Sequence, residues 1–237
     1  MLAMLRAEQY KPVILAAFDG LAGRPERVAR LLQIVAVLSV RATIAKVNTG
    51  DLQRAYQEVA WRIGQGELKS PAAIAKALAG VTPPDDEFRR AFETLELDPK
   101  GPRKRFLRYL LCELERVVGG KEVDSEVADF TIEHILPENP GDGWGAFGHE
   151  HRLRDVVRVG NLTPLEAGLN RAVGAAGFEE KRVAYAKSGY ALTRGIAGIG
   201  VKLRSSVALV RLRVRESSGS GTAAPWTRKV GSRATGR

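Results

Sequence analysis

Apolar residues recur at helical spacing through the first 119 residues, between proline, Ser, Asp and Gly signals that start and stop helices. This pattern restricts the stretch to a bundle of helices. The run 25–47, PERVARLLQIVAVLSVRATIAKV, opens on proline and is too apolar for an exposed helix. In GDLQRAYQEVAWRIGQGE, Asp51 stands where a cap is needed, and Leu52, Ala55, Tyr56, Val59, Ala60 and Ile63 form one stripe. Ser70 and Pro71 supply the N-cap and first-turn residue of SPAAIAKALAGV. PPDDEFRRAFETLEL and GPRKRFLRYLLCELERVVGG follow, the second stopping at Gly119-Gly120. No repeat of fixed period runs through these segments.

The texture changes after Gly120. DFTIEHILP is β-branched and aromatic in flavour and predicts a short strand. ENPGDGWGAFGHEHRLRD is rich in Gly, Pro and Asn and predicts a loop, which its own Trp144 packs onto the core rather than stacking on a base. VVRVGNLTPL predicts a second short strand and a turn. EAGLNRAVGAAGFEEKRVAYAKSGY returns to helical spacing in two pieces, broken around Gly174 to Gly177. The expected fold is mainly α, with a small ββα element, and of the α+β class. The expected domains are a helical scaffold at 1–119, a catalytic or binding domain at 120–197, and a basic low-complexity tail at 198–237 that does not fold alone.

The net charge of +10 invites a nucleic-acid partner, but its location matters. Residues 201–237 hold nine Lys/Arg against one acid, Glu216, for +8, so the remainder carries only +2. A native tail and an out-of-frame segment fit this composition equally. A single cysteine, Cys112, excludes an intrachain disulfide and a multi-cysteine zinc site, and a reducing, cytoplasmic setting is expected. No run of about 18 apolar residues and no signal-peptide pattern is seen, so no membrane partner is expected.

Chemistry concentrates in TIEHILPENP, residues 131–140. Glu133 and His134 stand side by side there. Downstream come Asn161 in GNLTPL and Asn170 nine residues later. These residue types suit metal-assisted phosphodiester hydrolysis. A neutral imidazole takes a proton from an attacking water. A carboxylate and an amide oxygen are hard donors for Mg²⁺. Each residue alone has a plainer reading: Glu-His as a solvent-facing pair, Asn161 as a turn former, Asn170 as a helix-start residue. His149 and His151 read as metal or DNA contacts, or as part of a solvated loop. Lys104, Arg105 and Arg108 could track phosphates or could form a solvated helix face.

IEHILP, GNLTPL, LN and FEEK, taken together, resemble the HNH or His-Me finger (ββα-metal) endonucleases. They are most similar to the C-terminal nuclease domain of GmrSD-type modification-dependent restriction enzymes, over roughly residues 100–196. That resemblance implies His134 as general base, Glu133 and Asn170 as metal ligands, and Asn161 as a brace for the loop between the strands. It implies Mg²⁺ as cofactor, with Mn²⁺ as substitute, DNA as substrate, and a prokaryotic restriction or phage-defence role. Lys181 of FEEK matches a basic family position that contacts DNA or orders the site. The chain has Pro164 where the resemblance expects an apolar residue, and a basic tail follows where a further helix is expected after Thr193. It has no Gly-rich phosphate loop, so a ParB-like NTP-using sensor would be a separate domain or subunit. The rival reading is a non-catalytic nucleic-acid-binding or protein-interaction module on the same fold.

Overall fold

The computed structural model describes residues 8–198 apart from 22, 121, 142–143 and 145–154. His149, His151 and the basic tail lie outside the described residues. The chain divides into two compact units, residues 1–92 and 93–237. This division lies upstream of the expected boundary at 119. The helix 104–119 belongs with the second unit because it packs against the hairpin and the last helix there.

The first unit consists of helices. They are α1 (Lys11–Gly20), α2 (Pro25–Ala45), α3 (Thr49–Gly64), α4 (Pro71–Ala77) and α5 (Asp85–Glu93), the last crossing the division. Val13 and Ala17 of α1, Leu31, Val35 and Leu38 of α2, Tyr56, Val59 and Ile63 of α3, and Ile74 of α4 share one core. Ser70 caps α4 by accepting from Ala73 N, as the sequence predicts. The cap of α3 is Asn48, which accepts from Gly50 N and Asp51 N, and Asp51 sits in the first turn instead. Helix α2 is long and apolar enough to cross a membrane by length and composition, and half of its apolar window is buried inside the protein. It also buries Arg41, whose guanidinium donates to Pro83 O, pairs with Asp85 at 2.7 Å and lies over the Phe88 ring.

The second unit holds α6 (Lys104–Gly119), β1 (Thr131–His134), β2 (Leu162–Leu165), α7 (Ala167–Val173), α8 (Phe178–Tyr185) and α9 (Ala191–Ala197). It is mainly α with one small antiparallel sheet, the α+β class expected. Gly120 ends α6 in the left-handed region, φ 68°. The break between α7 and α8 falls at Gly174–Gly177. The expected second strand is split: Arg158 makes an isolated antiparallel bridge with Glu96, Val159–Asn161 make a 3₁₀ turn, and Leu162–Leu165 pair with β1.

The register pairs Thr131 with Leu165, Ile132 with Pro164, Glu133 with Thr163 and His134 with Leu162. Ile135 N donates to Asn161 O one pair further on, which makes that pair hydrogen-bonded. Pairs alternate in an antiparallel ladder, so Ile132–Pro164 is a non-hydrogen-bonded pair. The missing N–H of Pro164 therefore removes no bond to β1. Its carbonyl turns away from β1 and accepts from the Thr193 hydroxyl of α9. Beneath the hairpin lies a core of Ile135, Leu165, Val173, Tyr185 and Ile196. Trp144 packs edge-on to Phe178 and donates to Ala176 O, seating its loop on this unit as expected.

Candidate active site

Residues 131 and 133 of β1 share one face of the strand, and Glu133 is 4 % exposed. An isolated buried carboxylate is costly, and α8 supplies the compensation. Lys181, whose side chain is fully buried, donates to Glu133 Oε1 at 2.7 Å and to His134 O at 2.7 Å. Tyr185 OH, one helical turn on, donates to the same Oε1 at 2.8 Å. Oε2 takes part in neither bond. Burial pulls the Lys181 ammonium below its usual range, and Glu133 works against that. The Lys181 ammonium is thus committed to Glu133 and the His134 carbonyl, an arrangement suited to ordering the site.

His134 points to the opposite face, half-buried. Its Nε2 is shielded from solvent and makes no hydrogen bond. Glu138 Oε1, at 3.8 Å, is too far to hydrogen-bond, while Glu138 Oε2 pairs with Lys100 at 2.6 Å. Burial lowers the His134 pKa, with Lys181 and Lys100 adding to the effect and Glu138 opposing it. The imidazole is therefore neutral at neutral pH.

Asn161 is 1 % exposed. Its Oδ1 accepts from Leu136 N at 2.7 Å, and its Nδ2 donates to Leu136 O at 3.0 Å and Val156 O at 3.2 Å. The side chain thus pairs with Leu136 as another strand residue would, and ties the segment after His134 to the segment before β2. Asn170 sits in the first turns of α7, and its Nδ2 donates to Thr131 Oγ1 at 2.7 Å.

Glu133, His134, Thr131 and Asn170 line one cleft of about 520 Å³, together with Lys100 and Lys104. Asn161 stands behind it as support. The three basic residues predicted on α6 separate. Lys104 is exposed at the cleft. Arg105 pairs with Glu126 at 2.9 Å. Arg108 is committed to the carbonyls of Ser125, Ala128 and Phe130 and stacks over the Phe130 ring, 4.0 Å from its centroid. The guanidinium of Arg108 thus ties down the segment leading into β1. Sequence reasoning missed Tyr185, Thr131, Lys100 and Glu138. Tyr185 had a signal, lying four residues from Lys181 on one helix face. Glu138 likewise follows His134 by four.

Among the described residues, no three of His, Cys, Asp or Glu gather as an all-protein metal cage. The oxygen donors that line the cleft are instead the carboxylates of Glu133 and Glu138 and the amides of Asn139 and Asn170. Such a hard-oxygen set fits a Mg²⁺ ion that keeps several waters.

The family model of the GmrSD restriction endonucleases, C-terminal domain, matches residues 82–211, more than half of the chain. The chain belongs to this family. No curated protein matches it. The GmrSD match spans α6, the hairpin and α7 to α9, so every residue of the cleft falls within it. Membership in the GmrSD C-terminal family makes the domain a nuclease of restriction-endonuclease type, and DNA is the substrate such a domain takes.

Proposed function

We propose that the second unit is a metal-dependent DNA endonuclease of the HNH type, acting in the cytoplasm in prokaryotic restriction or phage defence. The observation that carries this reading is the convergence of Glu133, His134 and Asn170 on one cleft with Lys100 and Lys104 beside it. Glu133 and Asn170 would hold the metal. A bound Mg²⁺, or Mn²⁺ in its place, supplies charge stabilisation at the phosphate and the leaving 3′ oxygen. His134, with its imidazole at the cleft, takes a proton from the attacking water. The oxygen of that water bonds to phosphorus as the P–O3′ bond breaks, and the 3′ oxygen is protonated from solvent. Lys181 and Tyr185 hold Glu133, and Lys181 also holds the main chain of His134, so one buried cation aligns both residues. Lys100 and Lys104 offer positive charge to the backbone of the entering strand. A ParB-like NTP-using partner would sense modification from a separate domain or subunit.

The test compares nicking of supercoiled plasmid by wild type and His134→Ala in Mg²⁺. Loss of cleavage with an unchanged melting temperature is expected. Undiminished nicking by the variant would remove His134 from the mechanism. DNA binding without nicking by the wild type would favour the non-catalytic module.

A further inference from the structure

Thr131, the first residue of β1, carries no charge and no motif, yet it touches the proposed metal ligand Asn170. Its hydroxyl has one proton, and that proton is committed to Leu165 O at 3.0 Å. The oxygen therefore has only lone pairs left for Asn170. It accepts from Asn170 Nδ2 at 2.7 Å. A carboxamide whose NH₂ end is bound in this way has its Oδ1 turned away from Thr131. Asn170 Oδ1 accepts no hydrogen bond from a described residue, and Asn170 and Thr131 both line the cleft. Free rotation of the amide would present NH₂ to the cleft about as readily as oxygen, and an NH₂ group repels a cation. We infer that Thr131 is a positioning residue: it selects the amide orientation that offers Asn170 Oδ1 to a divalent cation. This inference rests on Asn170 being a metal ligand, as proposed above.

The experiment follows Mn²⁺ binding to the full chain by electron paramagnetic resonance, without DNA. Melting temperatures are read alongside. The proteins are wild type, T131V, T131A, T131S, N170A, N170D and the double variant T131V/N170D. Valine keeps the β-branched shape suited to a strand and lacks only the hydroxyl. T131V is expected to weaken Mn²⁺ binding by roughly fivefold, the size of one net hydrogen bond. T131A should do the same, so the comparison survives if either variant folds poorly. T131S, which keeps the hydroxyl, should bind within about twofold of wild type. The N170D background decides between orientation and plain structure. A carboxylate presents oxygen whichever way it turns, so adding T131V there should cost nothing further. An equal loss in both backgrounds would overturn the inference, because the effect would then be structural. Wild-type binding by T131V and T131A, with N170A weakened, would also overturn it while leaving the metal role of Asn170 standing. Unchanged binding by N170A would instead refute the metal role and the inference with it.

Discussion

At the scale of single residues, the Glu133–Lys181 pair dominates the energetics of the site. Both side chains are buried, with their charges 2.7 Å apart. Removing one member leaves the other charge buried and unpaired, which costs roughly 3–5 kcal/mol. Lys181→Met should therefore lower the urea midpoint strongly. Tyr185→Phe deletes one hydrogen bond to the same oxygen and should cost about 1–2 kcal/mol. Equal losses in urea titrations of the two variants would show that the ion pair is not the governing contact. The two asparagines should separate in another way. Asn161→Ala strips partners from Leu136 N, Leu136 O and Val156 O. It should lower both melting temperature and nicking rate, and added metal should not restore the rate, because preorganisation is what is lost. Asn170→Ala should keep its melting temperature and recover part of its rate at raised Mg²⁺ or Mn²⁺. A metal titration of nicking with both variants checks this; identical metal dependence would reverse the assignment.

Among elements, helix starts show how local chemistry competes. Asn48 and Asp51 both carry an oxygen suited to a cap, but only Asn48 lies outside the first turn, where its side chain reaches Gly50 N and Asp51 N. Asp51 still favours the helix by its charge near the N-terminal end. Asn48→Ala should cost about 1 kcal/mol and Asp51→Ala less, measured by chemical denaturation of the full chain. A larger loss for Asp51→Ala would return the cap to it. The last helix, α9, shows a cap that no local signal announces. Glu115 of α6 accepts from Ala191 N and Leu192 N, each at 2.8 Å. Gly119 leaves room for this carboxylate: a Cβ there would lie 2.7 Å from Glu115 Oε1. Pro164 belongs at this scale too, since the register places it at a pair that needs no N–H.

At the scale of the whole molecule, charge and chemistry fall in different stretches of the sequence. The cleft lies in the second unit, and residues 201–237 carry +8 of the net +10. Charge of that kind acts on nucleic acid chiefly through counterion release. Deleting residues 201–237 should weaken DNA binding and flatten its dependence on salt, while metal-dependent nicking persists at high protein concentration. Filter binding over a salt series measures both quantities. An unchanged affinity and slope would exclude the tail as a DNA contact.

Helical spacing, Ser70, the Gly119-Gly120 stop and the β-branched run at 131 are local features, so the elements and the α+β class were legible from the chain alone. The family resemblance was legible as well, because its motifs are short and contiguous. The sequence also marked Glu133, His134, Asn161 and Asn170 as one group. It did not show which would be buried, since burial depends on neighbours brought from elsewhere. Lys181 lies 48 positions from Glu133, and only the packing of α8 on the hairpin makes it an internal counter-ion rather than a surface cation. Arg108 looked like its neighbours Lys104 and Arg105 until the 125–130 segment folded over it. Thr131 carried no signal at all, because its role consists of a hydroxyl proton direction set by Leu165 across the sheet. Local pattern determined the elements and the reactive side chains; long-range packing decided which charges are desolvated, which are committed, and which oxygen faces the cleft.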